Sequence, residues 1–273
     1  MRFFTVIFAL LSFFTVGQAQ GWVSQSPASF NNSCIYGDCD ASFFARNSLM
    51  TAYPTGSNFN VTCSGVPPSP TTEYCGLRIR FHTFPPSTFT FAVLTYVSPT
   101  QVNFIIPPFY SGMSGSTAGI NGIEIERLSS GSWVFDRGQQ YVVNNVAPQT
   151  FIITRNGFKW VNGDVYGWNG SQYVFQRKIV DTAGGDITPI PKTYGGQPTI
   201  LVYYVTGSWA NPSANMVTIN GVSYAPLYSG SSGFTGLEQV NVQVPSNAPS
   251  GITTTAITSA GFSYPNTCHL WFE

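Results

Sequence analysis

Five aromatic side chains fall between residues 158 and 173: Phe158, Trp160, Tyr166, Trp168 and Tyr173, with Asn and Gly between them. Flat rings beside amides suit stacking on sugar rings, which have apolar faces and hydrogen-bonding edges. Trp160, Tyr166, Trp168 and Tyr173 are therefore the candidate ligand-binding residues. Large rings also fill cores, and that is the plainer reading. Exposure separates the two. Two or more of Trp160, Tyr166 and Trp168 lying coplanar at the surface favour a glycan, and burial of all three removes it.

Acid–base chemistry has few carriers. The only histidines are His82 and His269. His82 opens a loop with Pro85 and Pro86 and has no Ser or Cys motif beside it. His269 follows Cys268, but adjacency along a chain is not catalytic geometry. There is no Gly-x-Ser-x-Gly elbow, His-Glu-x-x-His or phosphate loop. A carboxylate pair for glycoside hydrolysis remains open among the eleven acids. Glu124 and Glu126 share a strand face, which solvation explains. The expectation is a non-enzymatic protein without a cofactor, with a glycoside-active enzyme as the outlying alternative.

The cysteines are Cys34, Cys39, Cys63, Cys75 and Cys268. In an exported chain they read first as disulfides. Local pairing gives Cys34–Cys39 and Cys63–Cys75 and leaves Cys268 over, although spacing does not fix connectivity. Zinc takes about four ligands, and no His lies near either cysteine pair, so no metal is expected.

Export is itself a reading of the N-terminus. Arg2, the apolar stretch from Phe3 to Val16, and Gly17-Gln18-Ala19 form a secretory signal over residues 1–19, with cleavage after Ala19. No later run is long enough to span a bilayer. Charged residues make up only 8% of the chain, with eleven basic and eleven acidic. No basic stripe exists to hold phosphates, so nucleic acid is not an expected partner. Asn31, Asn60 and Asn169 each begin an acceptor pattern for N-glycosylation, which matters only in a eukaryotic source.

The elements that would position these residues are strands. No segment has a 3.6-residue apolar period with caps. Leu77, Ile79 and Phe81 alternate with Arg78 and Arg80, and Val240, Val242 and Val244 alternate with Asn241 and Gln243. Asn156-Gly157, Asn162-Gly163, Asn169-Gly170 and Asn220-Gly221 are hairpin signals. Trp133–Phe135 and Tyr141–Val143 read as two strands around Asp136-Arg137-Gly138, and the Gly/Ser run before Leu237 reads as a loop. Two motifs recur in the same order. Ser48–Ser57 overlays Thr199–Ser208, with Leu49 on Ile200, Ala52 on Tyr203 and Tyr53 on Tyr204. Gln101-Val102-Asn103 overlays Gln239-Val240-Asn241. Two ordered matches indicate an internal duplication. The expected architecture is all-β: two tandem immunoglobulin-like β-sandwich domains, over residues 20–145 and 146–273, after a cleaved signal peptide.

The Leu94–Asn103 and Leu227–Pro245 stretches, with Val146-Ala147-Pro148, Tyr204-Val205-Thr206-Gly207 and Val217–Gly221, resemble an uncharacterised C-terminal module of secreted acidobacterial proteins of the Solibacter type. The resemblance implies tandem sandwiches akin to the IPT/TIG type and implies no activity. The chain departs from that pattern in its N-terminal cysteines, in the loop of residues 82–90 and in the aromatic meander of residues 158–175. The resulting expectation is a secreted, extracellular module for adhesion, display or structural spacing. The alternative is carbohydrate binding through the meander. An extracellular protein or polysaccharide is the expected class of partner, and the chain is expected to be monomeric or weakly self-associating.

Overall fold

The computed structural model describes residues 44–54, 58–83, 89–107, 119–144, 148–181, 187–208, 211–259, 262–263 and 267–273. The signal segment, Cys34, Cys39 and the 145/146 boundary lie outside these residues. In the first half the strands are β1 (Phe44–Ala45), β2 (Leu49–Ala52), β3 (Glu73–Tyr74), β4 (Leu77–Thr83), β5 (Phe89–Phe91), β6 (Val93–Ser98), β7 (Gln101–Ile105), β8 (Gly119–Ser129) and β9 (Ser132–Asn144). One sheet runs β1-β9-β8-β4-β3 with β5 also on β4, and the other runs β2-β7-β6. The alternation seen in the sequence sends Leu77, Ile79, Phe81, Ile123 and Ile125 inward from the first sheet. Met50, Ala52, Leu94, Val102 and Phe104 meet them from the second.

The second half contains β10 (Gln149–Thr150), β11 (Ile152–Arg155), β12 (Phe158–Val161), β13 (Gly163–Trp168), β14 (Tyr173–Lys178), β15 (Thr193–Tyr194), β16 (Gln197–Pro198), β17 (Ile200–Thr206) and β18 (Asn215–Ile219). It continues with β19 (Val222–Tyr224), β20 (Tyr228–Phe234), β21 (Leu237–Gln243), β22 (Gly251–Ser259), β23 (Phe262–Ser263) and β24 (Cys268–Phe272). One sheet is ordered β14-β13-β17-β21-β20 and the facing sheet β11-β12-β24-β22-β18-β19. Val165, Leu201, Tyr203, Val240 and Val242 pack against Trp160, Val217, Ile219, Ile257 and Leu270 in a core of their own.

Both halves use one plan. β2, β7 and β6 correspond to β17, β21 and β20, while β4, β8 and β9 correspond to β18, β22 and β24. This is the immunoglobulin-like order, with the B, E and D strands in one sheet and C, F and G in the other. Each G strand gains a parallel neighbour, β1 on β9 and β12 on β24. The recurring motifs are paired strands in identical register: Thr51 faces Asn103 and Ala52 faces Val102, as Val202 faces Asn241 and Tyr203 faces Val240. In both motifs the Gln side-chain amide donates to the Asn Oδ1 two residues on, at 2.8 Å. These residues share a strand face, as a period of two requires.

Several expectations are corrected. β9 is one continuous strand rather than a hairpin about Asp136-Arg137-Gly138. Its turn with β8 is Ser130-Gly131, and a register shift opposite Ile125 and Glu126 absorbs the extra residue. The Gly/Ser run before Leu237 is strand β20 at a sheet edge, where small residues and a register shift are tolerated. His82 lies within β4, opposite Phe89. Asn162-Gly163 makes no hairpin but carries the chain from one sheet to the other. A Cβ on Gly163 would sit 2.2 Å from the Val202 carbonyl oxygen. Asn156-Gly157 and Asn220-Gly221 are tight turns with positive φ at both residues.

The halves meet at a seam. The Leu49 N–H donates to Thr206 Oγ1 at 2.8 Å, and that hydroxyl donates to the Gly236 carbonyl at 2.7 Å. Leu49 packs with Phe151, Val202, Tyr204 and Leu237. This explains the unbroken apolar run of β17, since both of its faces are buried.

Candidate functional site

The aromatic meander is the hairpin β13–β14. The connecting residues are ordered by Asn169, whose Oδ1 accepts from the Ser171 and Gln172 N–H groups at 3.0 Å. Pairing back from the turn sets Trp168 opposite Tyr173 and Tyr166 opposite Phe175. After a register shift that leaves out Gln176, Asp164 stands opposite Lys178. Three cross-strand pairs, two aromatic and one ionic, thus line one face of the hairpin. Each aromatic pair is edge-to-face: Trp168–Tyr173 at 5.3 Å between centroids and Tyr166–Phe175 at 6.0 Å. Tyr173 also donates to the Pro198 carbonyl at 3.1 Å. The β15–β16 hairpin closes over β13. The Tyr194 ring lies so near Gly167 that a Cβ there would be 2.6 Å from it, which explains the glycine.

Asp164 is the buried charge of this face, at 1% exposure. Its Oδ1 accepts from Lys178 Nζ at 2.5 Å and its Oδ2 from the Tyr204 hydroxyl at 2.9 Å. The Phe175 and Tyr204 rings flank Nζ at 5.9 and 5.7 Å. Burial, followed by the negative charge of Asp164, pushes the Tyr166 hydroxyl up to about 12 and raises Tyr204 further, so both remain protonated donors.

The proposed ligand residues separate. Trp160 is a core residue at 2% exposure, with its Nε1 donating to the Arg155 carbonyl at 3.0 Å. It faces away from the meander and cannot stack on a ligand. Tyr166, Trp168 and Tyr173 are half-buried on the outer face. Phe175, Asp164, Lys178 and Tyr204 belong to the same surface. Ungapped pairing would place Asp164 opposite Arg177; the shift at Gln176 brings Lys178 there instead. Arg177 points elsewhere, donating to the Thr188 and Pro189 carbonyls at 2.9 and 2.7 Å.

The remaining reactive groups are held structurally. Cys63 and Cys75 form a disulfide with Cα atoms 4.8 Å apart, and Cys75 occupies the β3–β4 turn at φ +54°. Cys268 is a buried thiol, not disulfide-bonded, that burial pushes up to about 12, against a smaller opposing effect of Lys159. His269 has its Nδ1 3.1 Å from the Lys159 carbonyl and its ring edge-on to Phe158. Among the described residues, no three His, Cys, Asp or Glu side chains are grouped to hold a metal ion, and no helix is long and apolar enough to cross a membrane.

A second polar face lies on the first half. Arg78 donates through Nε to Glu126 Oε2 at 2.6 Å, and its guanidinium stands 4.3 Å from the Trp133 ring and 4.6 Å from Phe91. Arg80 binds Glu124 and approaches Phe89. The register dictates this ladder, since Arg78 faces Glu126 and Arg80 faces Glu124. The glutamates sequence reasoning treated as solvated are therefore paired, and Glu126 is buried.

No protein-family model matches the chain, and no curated protein matches it. Among solved structures, a chimeric titin Z1Z2 carrying a KLER peptide from decorin aligns at 13% identity, covering 85% of this chain and 91% of that one with a TM-score of 0.22. The assignment of an immunoglobulin-like sandwich rests instead on the strand order and register of the two halves.

Proposed function

We propose that this chain is a secreted, non-enzymatic module for extracellular adhesion, display or structural spacing. The observation that carries the reading is the seam. Leu49, Thr206 and Gly236 join two filled sandwiches directly, rather than leaving them to swing on a linker. Such a contact restrains the relative motion that domains joined only by a linker show, which suits a module that spaces or presents other groups. The disulfide at Cys63–Cys75 fits an oxidising compartment. Chemistry is muted: the thiol of Cys268 is buried and the acids of the β4–β8 face are engaged by arginines.

A second reading, carbohydrate binding, is favoured by one observation. Tyr166, Trp168, Tyr173 and Phe175 crowd one accessible hairpin face, with Asn169 at its tip. Pull-down on insoluble polysaccharides and calorimetry against soluble ones separate the two. The spacer reading expects no saturable binding. Saturable binding that is lost in Trp168→Ala and Tyr173→Ala would replace it with the glycan reading. Sedimentation of the purified chain tests the accompanying expectation of a monomer or weak self-association.

A further inference from the structure

We propose that Lys178 and Asp164 condense to a side-chain amide that covalently links strands β13 and β14. The arrangement supplies what this reaction needs. The two residues are direct cross-strand partners, so the sheet holds amine and carboxyl together without a diffusive step. Nζ stands 2.5 Å from Oδ1, closer than the about 2.7–2.9 Å of an ordinary charged N–H···O contact. Asp164 is nine-tenths or more buried, and the Phe175 and Tyr204 rings shelter the amine. The contact sets an Nζ proton beside Oδ1, so the transfer that the reaction requires first needs no intervening solvent molecule. The Tyr204 hydroxyl already donates to the second carboxyl oxygen, Oδ2, where negative charge develops on attack.

The chemistry balances within the pair. A proton passes from Nζ to Oδ1. Nζ then adds to Cγ, forming the C–N bond and placing the developing charge on Oδ2 beside Tyr204. The Cγ–Oδ1 bond breaks, and Oδ1 departs as water with a second proton from nitrogen. One ammonium and one carboxylate become one amide and one water, and no oxidant, reductant or co-reactant takes part. The Lys178 side chain is 32% exposed, which gives the water a way out. The inference is independent of the adhesion reading, because the amide would form whatever the chain binds.

Mass spectrometry of the reduced, denatured full chain tests it. The expected mass is lower by one water than that of residues 20–273. A tryptic digest is expected to contain a branched peptide joining residues 160–177 to residues 178–192, uncut after Lys178. Lys178→Arg keeps a cation opposite Asp164 but has no amine to acylate, so it should lose neither water nor the ordinary cut sites. Asp164→Asn cannot take the proton from Nζ, so it should give the uncondensed mass and separate peptides. Tyr204→Phe is expected to lower the branched fraction several-fold. Wild-type chain at full mass, with Asp164 and Lys178 in separate peptides, overturns the proposal and leaves an ion pair. That result needs no variant to fold.

Discussion

The seam between the halves makes a quantitative demand on Gly236. This residue turns β20 into β21 at φ +79°. A Cβ there would lie 3.2 Å from Ile105 Cγ1, 3.3 Å from the Leu49 nitrogen and 3.5 Å from the Asn47 oxygen, all in the other half. Gly221 is the internal control. It occupies a hairpin turn at φ +76°, but its Cβ would meet nothing within 4 Å. Alanine at either site pays the left-handed backbone penalty of about 1 kcal/mol. At Gly236 it adds an overpacked contact costing about 1–3 kcal/mol, because two of the three neighbours are backbone atoms that cannot rotate away. Gly236→Ala is therefore expected to lose about 2–4 kcal/mol in urea unfolding and Gly221→Ala about 1 kcal/mol. Hydrogen exchange supplies the local readout: the Leu49 amide, bonded to Thr206, should lose protection only in Gly236→Ala. Equal losses in the two variants, with the Leu49 amide unchanged, would show that the halves do not bear on each other at Gly236.

Two further outcomes follow from buried groups. Replacing Arg78 with Met removes a cation held between Trp133 and Phe91 and leaves buried Glu126 only its longer contact with Arg80 at 3.4 Å. The expected loss is about 2–4 kcal/mol in denaturant unfolding. Arg78→Lys should recover less than half of it, since an ammonium cannot both fork to the carboxylate and stack between rings. The Cys268 thiol is raised from 9.0 to about 12 in the fold, so the folded state favours its neutral form. That contribution to stability is complete below pH 9 and is lost as pH rises towards 12. Cys268→Ala should flatten the alkaline fall in unfolding midpoint, and the native thiol should react with a disulfide reagent only when denaturant is present.

The duplication was legible because it lies in strands whose alternation and partners both recur. Leu49 over Ile200 and Gln101 over Gln239 predict paired strands in equal register, which is how β2–β7 and β17–β21 meet. Parallel pairing left no such trace. Phe44 meets Val143 and Trp160 meets His269 across about a hundred residues, with no turn between them to betray the contact. Register shifts hid the rest. An extra residue at Asp136 made one strand look like two, and the one at Gln176 concealed the partner of Asp164. Trp160 and Trp168 lie on consecutive strands, β12 and β13, within one ring-rich stretch. Their opposite fates depend on Asn162-Gly163 passing between sheets, although the dipeptide pattern reads as a turn.

Comparing the halves separates what the scaffold requires from what each copy adds. At the positions of the β4–β8 ion pairs, the second half has Met216 opposite Thr258 and Thr218 opposite Ala256. That sandwich closes its core without charges at these positions, so the Arg78–Glu126 and Arg80–Glu124 pairs are not needed to form the fold. They order the exposed side of a sheet whose interior Leu77, Ile79 and Phe81 already fill. The converse holds for Asp164 and Lys178. Their hairpin extends the second half beyond β17, whereas among the described residues β2 has only β7 beside it in its sheet. An acid buried at such an addition costs desolvation that the core does not demand, and Lys178 and Tyr204 offset that cost. The individuality of the chain therefore lies in two grafts on one repeated frame, a charged aromatic ladder in the first copy and the β13–β14 hairpin in the second. The Gln-Val-Asn motif common to both copies belongs to the frame.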